Sequence, residues 1–255
     1  MARLPRRLAY GEEATLVEHL GELRTRIVIC LLALAAAFAV TFVFHHQLLD
    51  WLNRPLPLER RQPITLGVAE PFVTSVMVSF YAAILLALPV ILWQLWGFLT
   101  PAVEEHHQRR IFLFVATATA LLVAGLLFGY FVGLPKALHF LTNYDDQLYN
   151  VQIRARDYLA FASAMMLAFA IVFELPIFVL ALVSLGVLSS RTLRRQRRIG
   201  YFIVACVAVA LPGVDPVTTT IETVPLIVLF EASIWASVLV ERRSSGFEPA
   251  GVPEP

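Results

Sequence analysis

The sequence predicts an all-α integral membrane protein whose six transmembrane helices, several of them kinked, form a curved, concave bundle. Of its 255 residues, 58% are hydrophobic and only 15% are charged, whereas a soluble domain carries about 25% charged residues. The apolar residues lie in long uncharged runs, and a helix needs about 20 such residues to cross a bilayer. Prolines inside three runs, Pro89, Pro176 and Pro225, free backbone carbonyls and bend helices, which favours a cupped shape over a straight bundle.

Six apolar runs, the fourth and sixth of them interrupted by glutamates, mark the expected spans in order along the chain. They lie at about 27–44, 74–97, 111–134, 158–187, 199–214 and 217–240. Residues 1–26 precede them, and a Pro- and Gly-rich tail, residues 241–255, is expected to be disordered. The fifth run covers only about 24 Å, so we expect a thinned bilayer or shielding by neighbouring helices there. In the long loop 45–71, the stretch HHQLLDWLN predicts a short amphipathic helix that ends before Pro55 and Pro57.

Lys and Arg are distributed unevenly between the two sides of the predicted membrane domain. The side that holds both termini carries Arg3, Arg6, Arg7, Arg24, Arg26, Arg109, Arg110, Arg191, Arg194, Arg195, Arg197, Arg198, Arg242 and Arg243, and the other side carries Arg54, Arg60, Arg61, Lys136, Arg154 and Arg156. Because cytoplasmic loops carry the excess of positive charge, we expect both termini in the cytoplasm. The stretch RTLRRQRR before the fifth span is interpreted as a topological anchor, with docking of a partner that seeks basic residues as the alternative.

Carboxylates stand inside the fourth and sixth runs, where an ionised group costs at least ~2.5 kcal/mol on insertion scales. Glu174 is either a protonated or hydrogen-bonded residue that fastens two helices, or a polar spot on a concave working surface. Glu222 is expected near the outer end of its span, where its cost is small, and Glu231 deeper, in contact with another helix or subunit. For Asp215, which precedes the sixth span, a role as N-terminal cap and a functional role are both open.

Catalytic and metal-binding motifs are absent from the sequence. It contains no GxSxG, HExxH or Gly-rich phosphate loop, and no cluster of residues with metal-ligand spacing. The adjacent histidines at 45–46 and at 106–107 diverge on a helix, and Cys30 and Cys206 are interpreted as small hydrophobic residues. We therefore expect a protein that is not an enzyme and that has no cofactor, metal or nucleic-acid partner.

Five short motifs, in this order, resemble landmarks of the TatC family. They are HLGELRTRI (19–27), RPLP (54–57), LPVILWQLWGFLTPAV (88–103), FELP (173–176) and LPGVDPVT (211–218). The resemblance covers roughly residues 12–242 and includes six spans with both ends on the cytoplasmic side. Each motif alone is weakly specific, but their order and the predicted topology together identify the family.

The resemblance implies the core receptor of the twin-arginine translocase, a multi-pass protein of the cytoplasmic (inner) membrane. Such a receptor binds the twin-arginine signal peptides of folded precursor proteins. It assembles with single-span TatA/TatB-type subunits, as a homo-oligomer in the receptor complex, and cargo crosses with the proton-motive force.

The resemblance also implies which residues bind the signal peptide. They are Glu22, Arg24, Phe98, Glu104, Glu105 and His107. Glu22 stands at the family's signature glutamate, and a carboxylate can receive an arginine in a bidentate geometry that lysine cannot copy. The family usually has a second glutamate where this chain has His107, so Glu104 and Glu105 are the candidates to replace it. Phe98 has an alternative interpretation as an interfacial aromatic residue.

Other candidate positions lie within the membrane and on its outer side. The membrane candidates are Glu174 and Glu231 on the concave face, and the periplasmic candidates are Pro55, Asp215 and Thr219, which stands where the family often has Gln. Two alternative functions are a secondary transporter that uses Glu174 in a membrane cavity for a small solute, and a purely structural assembly factor.

Overall fold

The polypeptide folds into a succession of helices, seen here in a computed structural model that describes residues 16–57, 61–99, 108–145, 148, 151–184, 186–213 and 215–245. The helices are α1 Leu16–Val43, α2 His45–Asn53, α3 Glu70–Leu99, α4 Gln108–Phe128, a π-helical turn Gly129–Gly133, α5 Leu134–Asn143, α6 Ala155–Phe173, α7 Leu175–Ser184, α8 Ser190–Arg195, α9 Arg197–Ala210 and α10 Pro216–Ser245. The predicted all-α class is confirmed.

Five helical segments in the described ranges are long and apolar enough to cross a membrane. They are Leu20–Val43, Glu70–Phe98, Phe114–Asn143, Ala155–Ser184 and Pro216–Leu239. Large apolar side chains on these helices are exposed, for example Leu32 and Phe80, as expected for surfaces that face acyl chains. The chain is therefore a multi-pass membrane protein.

The predicted fifth span corresponds to the shorter helix α9. It has 14 residues and is about 21 Å long at 1.5 Å per residue. Its end follows from the sequence, because Leu211 precedes Pro212 and is extended, with φ −70° and ψ 159°, as residues before proline prefer.

Two other spans differ in detail from the predicted boundaries. The third helix does not end at 134 but continues through the π-helical turn and α5 to Asn143, because Lys136 can remain helical while its long side chain extends toward water. The fourth is interrupted at Glu174, between α6 and α7. Pro176 has no amide hydrogen to continue the helical hydrogen bonds, and the Glu174 amide bonds instead to the carbonyl of Ile171 at 3.1 Å.

Prolines elsewhere act as expected at a helix end but do not interrupt helices. The predicted short helix in the first long loop is confirmed as α2, which ends at Asn53, before Pro55. Pro89 lies inside α3 and Pro225 inside α10, and both helices continue through them.

The chain divides into two compact units, and the first contains Met1–Ala120 and Thr142–Leu167. Within it, α1 and α2 both pack against α3. The contact of α1 with α3 centres on the buried alanines Ala37, Ala83 and Ala87, whose small side chains allow two membrane helices to approach closely. The Thr41 hydroxyl of α1 donates to the carbonyl of Ser79 in α3 at 2.8 Å.

An ion pair in the first unit links the start of α3 to the residue before α6. Arg154 Nε donates to Glu70 Oε1 at 2.9 Å, and Arg154 Nη2 donates to Glu70 Oε2 at 3.1 Å. Beside it, the Ile64 amide donates to the carbonyl of Ile153 at 2.9 Å, and the Ala155 amide donates to the carbonyl of Ile64 at 2.8 Å. The carboxylate of Glu70 raises the pKa of Arg154. We call this arrangement the Glu70–Arg154 clasp.

The second unit contains Leu121–Leu141 and Ala168–Pro255, and α10 is central to it. The helix packs against α7, α8 and α9 around the buried residues Val172, Val204, Ala208, Leu226, Phe230 and Ile234. Glycines at positions 125, 129 and 133 pack against Phe169. A Cβ atom at 125 or 133 would collide with that residue, and one at 129 would lie only 3.1 Å from its ring. Such spaced glycines let membrane helices approach closely.

Candidate functional site

Glu22 lies on α1, two residues from Arg24 in the sequence and one helical turn before Arg26. Arg26 donates twice to Glu22 Oε1, from Nε at 3.0 Å and from Nη2 at 2.5 Å. Residues four apart lie on the same face of a helix, so the spacing along α1 accounts for this pairing.

Arg26 also joins α1 to the end of α3. Its Nη2 donates to the carbonyl of Gly97 at 2.6 Å, and its Nη1 donates to the carbonyl of Gln94 at 3.2 Å. Carbonyls in the last turn of a helix lack intrahelical donors, and the helix dipole favours a cation there. Gly97 provides the space for the Arg26 guanidinium, because a Cβ atom at position 97 would collide with it. This contact with α3 was not predicted from the sequence.

The Glu22 carboxylate retains capacity for a second cation. In the ranges that the structure describes, all its hydrogen bonds go through Oε1, and its side chain is 29% exposed. An ionised carboxylate offers about four lone-pair sites on two oxygens. Glu22 can therefore accept a further guanidinium while Arg26 stays bound to the carbonyls of α3.

Of the other residues expected around Glu22, the structure describes two. Arg24 is exposed on α1, and Phe98 is partly exposed in the last turn of α3, next to Gly97. Glu104, Glu105 and His107 lie outside the described residues.

Asp215 caps α10. Its Oδ1 accepts a hydrogen bond from the Thr218 amide at 2.8 Å, while its carbonyl accepts from the Thr219 hydroxyl at 2.9 Å. The capping role is confirmed for Asp215, and Thr219 is tied to the same turn. Pro55 is partly exposed in the turn that follows α2.

Glu174 is buried at the break between α6 and α7. Neither of its carboxylate oxygens has a hydrogen-bond partner in the described part of the chain. The predicted fastening of two helices through a hydrogen bond is therefore not seen among these residues.

The two glutamates of α10 differ from each other. Glu231 accepts a hydrogen bond from the Tyr201 hydroxyl of α9, and Arg197 Nη2 lies 3.4 Å from Glu231 Oε2, so the expected contact with another helix is confirmed. Glu222 lies near the start of α10, but the expectation that its burial there costs little is wrong. Glu222 is 1% exposed, and neither carboxylate oxygen has a partner in the described ranges. It is one turn from buried Thr218 and shares its inward face.

Comparisons with known proteins agree with the motif order. A model of the family described as Sec-independent protein translocase protein (TatC) matches residues 18–225. Sec-independent protein translocase protein TatCd of Bacillus subtilis (strain 168) is 32% identical over 239 residues, which cover 94% of this chain and 98% of that protein.

A second relative and a solved structure give the same result. Sec-independent protein translocase protein TatC of Escherichia coli (strain K12) is 31% identical over 228 residues, which cover 87% of each chain. The crystal structure of the twin-arginine translocase receptor TatC in DDM superposes with a TM-score of 0.77 at 30% identity, over 86% of this chain and 99% of that chain.

Proposed function

The chain belongs to the TatC family of Sec-independent protein translocase proteins, and from this premise we propose that Glu22 is the main contact for the twin-arginine signal peptide of a folded precursor protein. Members of this family are components of a protein translocase that work with other Tat subunits, and they are not enzymes. Because the chain belongs to this family, we set aside the alternatives of a solute transporter and a purely structural assembly factor.

The proposal rests mainly on one observation, the partly exposed Glu22 carboxylate whose known contacts all use one oxygen. An incoming guanidinium can donate to Oε2, or displace Arg26 from Oε1. Displacement from Glu22 leaves the Arg26 side chain in place, because Arg26 keeps its bonds to the carbonyls of Gly97 and Gln94. A lysine ammonium lacks the planar fork and is held less well by the same carboxylate.

Two arginines call for more than one acidic group. We place the second carboxylate at Glu104 or Glu105, because His107 occupies the register of the family's second glutamate. Arg24 and Phe98 are proposed to border the signal peptide, Arg24 from α1 and Phe98 from the end of α3.

The proposed topology has six spans in the cytoplasmic membrane with both termini in the cytoplasm. It is supported by the excess of arginine on the side of the termini. α9 then crosses as a short span of 14 residues, and Glu22 lies at the cytoplasmic surface, where a signal peptide arrives.

The proposed partners are single-span TatA/TatB-type subunits and further copies of this chain, with transport driven by the proton-motive force. Glu174, which is buried without a hydrogen-bond partner in the described ranges, is proposed as a polar contact on a concave membrane face, and Glu231 is proposed to lie on the same surface. Pro55, Asp215 and Thr219 are proposed to act at the periplasmic side.

An export assay tests the role of Glu22. Glu22→Gln keeps the size of the side chain but removes its charge, so we expect export of a folded twin-arginine reporter to fall at least tenfold while membrane insertion of the variant is unchanged. Asp50→Asn is the matched control, because Asp50 is an exposed acid on α2. Normal export by Glu22→Gln would reduce Glu22 to an anchor for Arg26.

The same assay tests the second carboxylate. Of Glu104→Gln and Glu105→Gln, tested singly, we expect one to lower export and the other to leave it unchanged. Normal export by both variants and by the double variant would exclude this segment as the source of the second acid.

A further inference from the structure

Five arginines crowd into residues 191–198, across α8 and the start of α9. Arg197 pairs with Glu231, and Arg194 lies close enough to Glu241 to help lower the pKa of that carboxyl. Arg191, Arg195 and Arg198 are exposed and have no ion pair within the described residues. We call these three the arginine triplet.

The helix that carries two of them is held in a fixed orientation. The Thr192 amide donates to the hydroxyl of Ser189 at 3.1 Å. The Ser190 hydroxyl donates to Glu241 Oε2, and the Ser190 amide donates to Glu241 Oε1 at 2.7 Å. These bonds from Ser190 hold the pKa of Glu241 below its usual range. The Glu241 carboxylate therefore stays charged and keeps α8 in place at neutral pH.

The fixed orientation turns the arginines of α8 outward. Leu193 packs against the buried cluster of the second unit. At 100° per residue, Arg191 and Arg195 are each about 200° from Leu193 around the helix. Both guanidinium groups are therefore on the face of α8 that is opposite the protein interior.

Apolar side chains continue directly from the arginine triplet. Ile199 is 55% exposed, Phe202 is 70% exposed and Ile203 is 56% exposed in the first turns of α9. Helix α9 is about 21 Å long, against about 30 Å for the hydrocarbon core of a bilayer. Because arginine side chains near the end of a membrane helix extend to the interface, the first turn of α9 is near the level of the lipid headgroups, with arginines toward water and apolar side chains toward acyl chains.

We propose that the arginine triplet and the exposed first turns of α9 form a binding site for an anionic phospholipid. Guanidinium groups donate in pairs to phosphate oxygens, and clusters of basic residues beside a membrane helix attract anionic headgroups. The adjoining apolar face selects a lipid over an acidic protein segment, because acyl chains cover Ile199, Phe202 and Ile203 while the headgroup meets the arginines.

Thermal unfolding of the full chain in a neutral detergent tests this site. Phosphatidylglycerol, titrated into the sample, should raise the unfolding midpoint, and phosphatidylcholine at the same concentrations should not. In the variant Arg191→Gln/Arg195→Gln/Arg198→Gln, the half-saturating concentration of phosphatidylglycerol should rise at least tenfold. If this triple variant does not insert into the membrane, Arg195→Gln alone is expected to raise the half-saturating concentration of phosphatidylglycerol severalfold.

A matched control separates a site from general charge. Arg54→Gln/Arg61→Gln/Arg156→Gln removes the same charge from exposed arginines elsewhere and should keep the half-saturating concentration of the unmodified protein. The proposal is overturned if this control weakens binding equally, if phosphatidylcholine stabilises as well, or if inorganic phosphate alone reproduces the shift.

Discussion

At the residue scale, the pair of Glu22 and Arg26 shows how a local interaction becomes a tertiary one. Spacing along α1 was enough to predict their contact, because i,i+4 pairs meet on any helix. The bonds of Arg26 to α3 join residues about seventy positions apart in the sequence. No pattern within a single helix predicts a contact between residues so far apart. Gly97 offered the nearest signal, since a glycine near a helix end often makes room for another group.

Replacement of Arg26 tests this link. In Arg26→Lys the ammonium cannot bond Glu22 and the carbonyl of Gly97 with the geometry of a guanidinium, and hydrogen bonds to charged groups contribute about 1.5–3 kcal/mol. We expect a lower thermal unfolding midpoint in detergent. Arg24→Lys changes an exposed side chain of the same helix and should leave the midpoint unchanged. Equal midpoints for the two variants would contradict the link.

At the scale of elements, the sequence indicated most helices and placed their ends less well. Long apolar runs and the helix α2 follow from local chemistry and were predicted, whereas the bend expected at Pro176 is an interruption at Glu174. The extension of the third helix to Asn143 was not predicted, because the uncharged run ends just before Lys136, although a charged residue does not end a helix. The burial of Glu222 could not be predicted, because it depends on which face of α10 turns inward. The sequence of α10 does not mark that face, since apolar residues lie on nearly every side of the helix.

The Glu70–Arg154 clasp is another element-scale feature, and hydrogen exchange tests it. Glu70→Gln removes the charge that orients Arg154, so the amides of Ile64 and Ala155 beside the clasp should exchange at least tenfold faster. Asp157 contacts the same arginine at 3.9 Å but is 70% exposed, and Asp157→Asn should leave exchange unchanged because exposed pairs contribute little. Faster exchange in both variants would show that Arg154, not Glu70, controls this region.

At the scale of the whole molecule, the number of spans decides where the termini lie. Among the residues that the structure describes, five helical segments reach the length and apolarity of a span, and α9 is shorter. If α9 crosses the membrane, the termini share one side. If it does not, they lie on opposite sides. The sequence could indicate a sixth span from its apolar run and flanking arginines, but it could not fix the length of the helix within it.

A topology reporter fused after Ser245 distinguishes these two arrangements. We expect a reporter that is active only in the cytoplasm to be active when it is fused after Ser245. The same reporter should be active at the N-terminus, because arginine is concentrated on the side of the membrane that holds both termini. Opposite locations of the two reporters would show that α9 does not cross.

The central claim is that a carboxylate near the start of α1 recognises paired arginines, and peptide binding tests it most directly. Purified protein should bind a signal peptide that contains Arg-Arg, and binding should weaken at least tenfold when both arginines become lysine, because a lysine ammonium cannot donate through a planar fork. In Glu22→Gln the preference for arginine should largely disappear. Equal affinity for the Arg-Arg and Lys-Lys peptides, with Glu22 intact, would contradict the claim.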